Sequence, residues 1–362
     1  MGERPQPQPG ILDIALYQGG RSAIAGRQDA LKLSSNENPL GPPPSAQAAM
    51  AEAAASAHIY PSTDHGALRT AIGEIHGLDP DRIICGAGSD EVLQFVTQAF
   101  AGPGDEIIHT AHGFSLYPVL IRAAGARPVK VPETERRVDI EAILAAITER
   151  TRLIFVTNPG NPTGTMVGED VLAELIDRVP ERIVVVLDGA YTEYAAGYSG
   201  GARLAGARPN VLMTRTFSKI YGLGGLRIGW GYGDKWLIEV MTRIRQPFNL
   251  SGLQMAAAEA AVRDREWVDR CQSLNADQRA RLLGALGQLG IAADPSETNF
   301  ILARFADGAE AEAANAALLE DGIIVRQVAG YGFPEGLRMT VGDVEQTGRL
   351  IGSLTRWREA AA

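Results

Sequence analysis

The sequence predicts an α/β fold: a mostly parallel central sheet wrapped by helices, followed by a smaller α+β unit. Two runs carry the first part of that expectation. Arg152-Leu153-Ile154-Phe155-Val156 and Arg182-Ile183-Val184-Val185-Val186-Leu187 are continuous and largely β-branched rather than alternating, as strands covered on both faces require. Helical patterns separate most of the strand-like runs, which places helices against a parallel sheet. Around Asp234 the texture changes to a long helical stretch and then to short strands mixed with helices.

Taken in order, Met1 to Pro9 is Pro/Gln-rich without an apolar core, which reads as a mobile tail over 1–10 and not as a signal peptide. Residues 11–44 read as irregular, with Gly19-Gly20 and Pro42-Pro43-Pro44 as breakers. Ser45 is the expected cap of an alanine-rich helix running to about Ala57. Strands follow at 82–85, 106–109, 127–131, 152–156, 182–187, 210–213 and 227–231. Helices are expected at 89–100, 115–124, 140–147 and 168–178. One long helical region is expected from about Asp234 to about Leu289. Beyond it come strands at 299–302, 323–326 and 337–340, a helix near 310–320 and a closing helix over 344–358. The units are therefore a large one over 45–245 and a smaller one over 246–362.

Composition narrows the function classes. The chain has 362 residues, 45% hydrophobic and 21% charged, with a net charge of −9 and no long charge runs. That balance argues against a nucleic-acid partner. No apolar run approaches the roughly 20 residues of a membrane span. Cys85 and Cys271 lie far apart and make no metal-ligand pattern, and so few cysteines fit a reducing cytoplasm.

The candidate chemical residues fall on loops leaving strand ends, where open α/β sheets bind ligands. Lys219 lies within Thr216-Phe217-Ser218-Lys219-Ile220-Tyr221-Gly222, with Arg227 eight positions on. An ammonium in apolar company loses basicity, and a less basic amine forms an imine with an aldehyde such as pyridoxal phosphate (PLP). Thr216, Ser218 and Arg227 are then ligands for its phosphate. Read alone, the segment fits a buried strand ending in a surface lysine better than it fits this chemistry. Gly86-Ala87-Gly88-Ser89-Asp90-Glu91 opens a helix and offers amides to an anion, as many glycine-rich turns do. Asn158-Pro159-Gly160-Asn161-Pro162-Thr163-Gly164 is an unusual turn presenting Asn161. Asp188 ends a buried strand; it fits either a protonated ring nitrogen or a helix cap. Tyr191 stands three residues on, Phe114 is a candidate ring partner, and Tyr60 is a candidate phosphate contact. Arg326 and Arg338 lie in short apolar strands and suit carboxylate or phosphate. The order of these features on successive strand ends is more telling than any one of them.

In this order, and along nearly its whole length, the chain resembles the fold-type I PLP-dependent aminotransferases of class I/II, and most of all their histidinol-phosphate branch. The resemblance rests on Leu33 to Pro42, Tyr60-Pro61, Gly86 to Glu91, Asn158 to Gly164, Asp188 to Tyr191, Phe217-Ser218-Lys219 and Arg227-Ile228-Gly229. Asn36-Glu37-Asn38-Pro39-Leu40-Gly41 and Arg245-Gln246-Pro247-Phe248-Asn249 are particular to that branch. The resemblance implies that Lys219 is the Schiff-base lysine, that Asp188 pairs with the pyridine nitrogen, that Asn161 and Tyr191 hold the ring oxygen, and that Phe114 stacks on the ring. It assigns the phosphate to Gly88, Ser89, Thr216, Ser218 and Arg227, with Tyr60 contributed by the other subunit of a homodimer. Tyr17, Asn38, Arg326 and Arg338 become substrate contacts, and residues 11–44 join the small domain and the dimer interface.

Two departures stand out. The family's Tyr-x-Pro-Gly is Tyr17-Gln18-Gly19-Gly20 here, and the usual acid after Asp188 is Gly189. The implied activity is a ping-pong transamination between histidinol phosphate and 2-oxoglutarate. Alternatives are an aromatic amino-acid aminotransferase, a PLP-dependent decarboxylase of a phosphorylated amino acid, a PLP-binding regulator and a phosphate-binding protein without PLP. The regulator class carries a basic DNA-binding domain, which the acidic charge disfavours.

Overall fold

The continuous apolar runs become strands buried on both faces. The computed structural model describes residues 5–16 and 20–361. Its central sheet has seven strands: β1 (Ile83–Gly86), β2 (Glu106–Thr110), β3 (Arg127–Val131), β4 (Thr151–Thr157), β5 (Val184–Asp188), β6 (Val211–Thr216) and β7 (Gly229–Gly233). They lie in the order β1-β7-β6-β5-β4-β2-β3. β7 is antiparallel to both neighbours, and the remaining pairs are parallel. Successive side chains of β4 to β6 feed two cores. Ile154, Val156, Val185, Leu187 and Met213 enter one, and Leu153, Phe155, Val184, Val186 and Leu212 the other. This alternation across a fully covered sheet explains why the sequence shows no polar face.

A second sheet is antiparallel, in the order β8 (Ala292–Ala293), β9 (Phe300–Arg304), β11 (Phe333–Thr340), β10 (Arg326–Val328). Helices Gly308–Glu320 and Val344–Ala361 accompany it. The antiparallel sheet has its own core, with Ile301, Ala303, Leu337 and Met339, and helix Arg265–Gln288 bridges it to the central sheet: Val268 and Cys271 are buried with Ile154 and Val185, Leu282 and Leu286 with the antiparallel sheet. Leu250, Ala257, Ala258, Ala261 and Val262 also pack with Ile154 and Val185.

Several expectations change. Ser45 does not cap the first helix, which spans Pro44–Ala54 with Pro43 as its N-cap; the Ser45 hydroxyl donates to Asp264 instead, at 2.7 Å. Pro44 fits the first turn because its missing amide hydrogen is not needed there. Residues 11–44 contain a strand, Leu31–Lys32, paired in parallel with Ile323–Ile324. That pairing splits the single strand expected at 323–326, since Arg326 turns to join β11. The long helical region is three helices, Lys235–Thr242, Gly252–Arg263 and Arg265–Gln288, interrupted around Pro247 and again at Asp264. Helix Gly66–His76 was not expected; its start carries no capping side chain, and His65 before it is left-handed at φ 55°.

The antiparallel setting of β7 matters for the site. Gly229 pairs with both Thr216 and Gly86, so β7 begins where β6 and β1 end. The loop after β1, the end of β6 and Arg227 just before β7 therefore converge on one point.

Candidate active site

The strand ends surround a cavity of about 230 Å³ lined by Ser89, Phe114, Asn161, Asp188, Tyr191, Thr216, Ser218, Lys219, Arg227, Arg326 and Arg338, with Asn36 and Tyr331 among its other walls. Most of the sequence candidates thus meet in one place.

Asp188 closes the floor. It is buried, and Tyr117 donates to its Oδ2 at 2.8 Å while Thr214 approaches its Oδ1 at 3.3 Å. Burial pushes its carboxyl up to about 6, although the Tyr117 hydrogen bond opposes this. Tyr117 is fully buried and stacked on Phe155, with ring centroids 4.6 Å apart, so its hydroxyl is held in place. Phe114 meets the Tyr117 ring edge-on at 5.9 Å.

Asn161 sits on a turn that its own polar groups lock. The Asn158 side chain accepts from the Val167 amide at 2.9 Å and donates to the Val167 carbonyl at 3.1 Å. Gly164 has φ 75°, and a Cβ there would lie 2.6 Å from Ser296 Oγ, so only glycine serves. Asn161 Oδ1 accepts from Arg338 Nη1 at 2.6 Å, which leaves its amide hydrogens for the cavity. Tyr191 Oη accepts from Asn36 Nδ2 at 2.8 Å, so its own proton remains available to a second acceptor. Burial pushes that phenol up to about 12.

Lys219 is held down to about 8 by burial first, then by the Arg338 and Arg227 cations, against the opposing pull of Asp90. Its Nζ donates to the Ser35 carbonyl at 3.4 Å and lies 5.8 Å from the Tyr191 ring centroid. Beside it Arg227 donates to Ser218 Oγ at 3.2 Å and to Asp90 Oδ2 at 2.9 Å, and Thr216 Oγ1 accepts from the Ser218 amide at 3.0 Å. Two glycines make this cup possible. A Cβ on Gly88 would lie 2.6 Å from Arg227 Nη2, and one on Gly229 would lie 2.1 Å from the Ser89 amide nitrogen.

Two sequence candidates stand apart from the cavity. Asn38 spends its amide on the Ile220 carbonyl at 2.6 Å and on Cys271 Sγ at 3.2 Å. Asn36, left-handed at φ 57°, is the asparagine of that string that turns inward to line the cavity, and Asn38 does not line it. Tyr60 is exposed, with its ring 4.5 Å from that of Phe248, and does not line its own chain's cavity. Tyr17 and Gly19 lie outside the described residues. Gly20 faces Arg326; a Cβ on it would lie 3.0 Å from Nη1. Gly189 has no room for a side chain, since a Cβ would lie 2.5 Å from Thr192 Oγ1 and 3.1 Å from the Thr214 carbonyl.

Sequence reasoning missed Tyr117, Thr214 and Tyr331. Tyr331 lies in the turn before β11 and reaches across the cleft. Its hydroxyl is 3.0 Å from Ser115 Oγ, and its carbonyl is 2.6 Å from His112 Nδ1. No spacing marks these residues, because each acts through contacts distant in the chain.

The donor set fits PLP. A buried carboxylate of raised pKa suits a protonated ring nitrogen. A weakly basic, half-buried amine facing the cavity suits an aldehyde, and the glycine-lined cup with Arg227 suits a phosphate dianion. Fold and site together define a fold-type I PLP-dependent transferase. More particularly, the chain belongs to the aminotransferase class I and II family, whose sequence model matches residues 28–354. Histidinol-phosphate aminotransferase of Ruegeria pomeroyi is 60% identical over 98% of this chain and 99% of its own length. That of Jannaschia sp. strain CCS1 is 59% identical over 97% of each chain. Among solved structures, histidinol-phosphate aminotransferase of Sinorhizobium meliloti in complex with pyridoxal-5'-phosphate superposes with a TM-score of 0.91 at 27% identity, covering 99% of both chains.

Proposed function

We propose that the chain transfers the amino group of histidinol phosphate to 2-oxoglutarate, giving imidazole acetol phosphate and glutamate, with PLP as cofactor. The observation that carries this reading is the pairing of Lys219 with two arginines, Arg326 and Arg338, in the walls of one cavity. The names of the full-length relatives support the choice of substrate. The aldehyde form of PLP supplies the electron sink for reaction at the substrate Cα.

Lys219 would hold the aldehyde of the cofactor, and its amine serves as the general base and acid that moves the proton at the substrate Cα. A basicity near 8 keeps a useful share of its amine neutral at physiological pH. Asp188 keeps the ring nitrogen protonated, and Tyr117 keeps Asp188 ionised and oriented. Asn161 and Tyr191 direct donors at the ring oxygen, and Phe114 covers the ring. Ser89, Thr216, Ser218, Arg227 and the Gly88 backbone hold the phosphate. Arg338 and Arg326 grip the substrate's anionic end, a phosphate in one half-reaction and a carboxylate in the other, which a guanidinium fork accommodates.

The active form is a homodimer in which Tyr60 of each protomer completes the other's phosphate site. The exposed pair of Tyr60 and Phe248 supports this. Residues 11–44, through the strand Leu31–Lys32, join a small domain, and residues 246–362 supply an interdomain helix and that small domain. A cytoplasmic setting fits the two free, buried cysteines. Adding L-histidinol phosphate to the PLP-loaded protein should consume the aldehyde form of the cofactor in a single turnover, with 2-oxoglutarate restoring it. A protein that leaves the aldehyde absorption unchanged would contradict the reading.

A further inference from the structure

The segment Arg245-Gln246-Pro247-Phe248-Asn249 sends no side chain into the cavity, yet it is tied to the loop that forms one half of the phosphate cup. Asn249 Nδ2 donates to Glu91 Oε2 at 2.6 Å and to the Cys85 carbonyl at 3.3 Å. The same Glu91 oxygen accepts from the Ala87 amide at 2.6 Å. Glu91 therefore folds back from the first turn of its helix, Ser89–Phe100, onto the loop leading into it. Asn249 Oδ1 accepts in turn from Arg245 Nη1 at 3.0 Å, and Arg245 Nη2 donates to the Thr63 carbonyl at 2.6 Å. Arg245 Nη1 also lies 3.2 Å from His65 Nε2. Burial, then the Arg245 charge, holds that imidazole down to about 4, so it is neutral near pH 7 and accepts the guanidinium hydrogen.

Further along, Gln254 Nε2 donates to the carbonyls of Leu226 at 2.8 Å and Arg227 at 3.0 Å. Gln254 is itself fixed by reciprocal capping with Ser251, whose amide donates to Gln254 Oε1 at 2.6 Å. The restraint matters because Arg227 adopts φ 54°, a left-handed conformation that a side-chain-bearing residue keeps only when its surroundings enforce it. That conformation aims the guanidinium into the cup.

We propose that residues 245–254 form a strap that shapes the phosphate cup. Asn249 fixes the Ala87–Ser89 loop through Glu91, and Gln254 fixes the backbone of Arg227, so both are positioning residues for the cofactor phosphate. The inference rests on the reading that this cup receives the phosphate of PLP, and the test separates the two. Full-length protein stripped of cofactor is titrated with PLP and with pyridoxal, which lacks the phosphate, for wild type, Asn249→Ala and Gln254→Ala. The wild type should prefer PLP strongly; equal affinity for the two would overturn the phosphate assignment itself. Each variant should lose at least about tenfold in PLP affinity, the scale of one charge-linked hydrogen bond for Asn249 or of two neutral ones for Gln254, with pyridoxal affinity held within about twofold. A preference for PLP unchanged from wild type, or equal losses for both ligands, would overturn the strap. If Asn249→Ala does not fold, Gln254→Ala decides alone, because it is a half-buried residue in the first turn of helix Gly252–Arg263 and leaves the Glu91 contacts intact.

Discussion

Replacing Lys219 by methionine should stabilise the cofactor-free protein at neutral pH. The side chain is half-buried in the cavity wall, and its basicity falls from an ordinary 10.5 to about 8. At about 1.4 kcal/mol per pH unit, holding it protonated in the fold costs about 3 kcal/mol below pH 8. Methionine has a similar length and no charge to desolvate, so most of this cost disappears; the weak 3.4 Å contact to the Ser35 carbonyl is a small loss against it. The pH dependence identifies the cause. Between pH 8 and 10.5 the unfolded chain binds more protons at this site than the folded one, so wild-type stability rises with pH through that window. The gap between the proteins should therefore close as pH approaches 10.5. Urea denaturation of both stripped proteins at pH 7 and pH 10 measures it. A methionine variant less stable than wild type at pH 7, or a gap that does not change with pH, would refute the reasoning.

Tyr117→Phe keeps the ring stacked on Phe155 and removes only the donor to Asp188. Hydrogen bonds to charged groups contribute about 1.5–3 kcal/mol, so kcat/KM at pH 7 should fall by about tenfold or more. Because the loss raises the Asp188 pKa above its value near 6, the deficit should be largest at low pH and shrink as pH rises; a pH–rate profile identical to wild type would count against this role. Gly229→Ala should release the cofactor phosphate, since its Cβ would lie 2.1 Å from the Ser89 backbone nitrogen, whereas Gly225→Ala, with nothing within 4 Å, should be neutral. Retention of PLP through dialysis compares the two, and equal retention would show that the close approach of β7 to the loop is not needed.

The sheet was legible because strands covered on both faces leave unbroken apolar runs, as in Val184 to Leu187. The turn carrying Asn161 and the segment carrying Lys219 were legible because glycine, proline and a lone lysine are costly where chemistry does not require them. What stayed hidden depends on long-range contacts. Tyr117 looks like core until Asp188, distant in sequence, is seen at 2.8 Å. The choice between Asn36 and Asn38 turns on one left-handed residue, which an asparagine tolerates without announcing it. The break at 324–326 exists only because Leu31–Lys32 arrives to pair there. The helical pattern from Asp234 onward conceals the turn at Pro247, although that turn carries the strap.

The central claim is a PLP-dependent transamination directed at a phosphorylated amino alcohol, and kcat/KM for L-histidinol phosphate against L-phenylalanine and L-tyrosine tests it most directly, with 2-oxoglutarate as acceptor. Histidinol phosphate offers the two guanidinium groups a phosphate dianion where phenylalanine and tyrosine offer only an α-carboxylate, which should separate them by at least about tenfold in favour of histidinol phosphate. Equal values, or a preference for the aromatic amino acids, would contradict the assignment of Arg326 and Arg338 to the substrate phosphate.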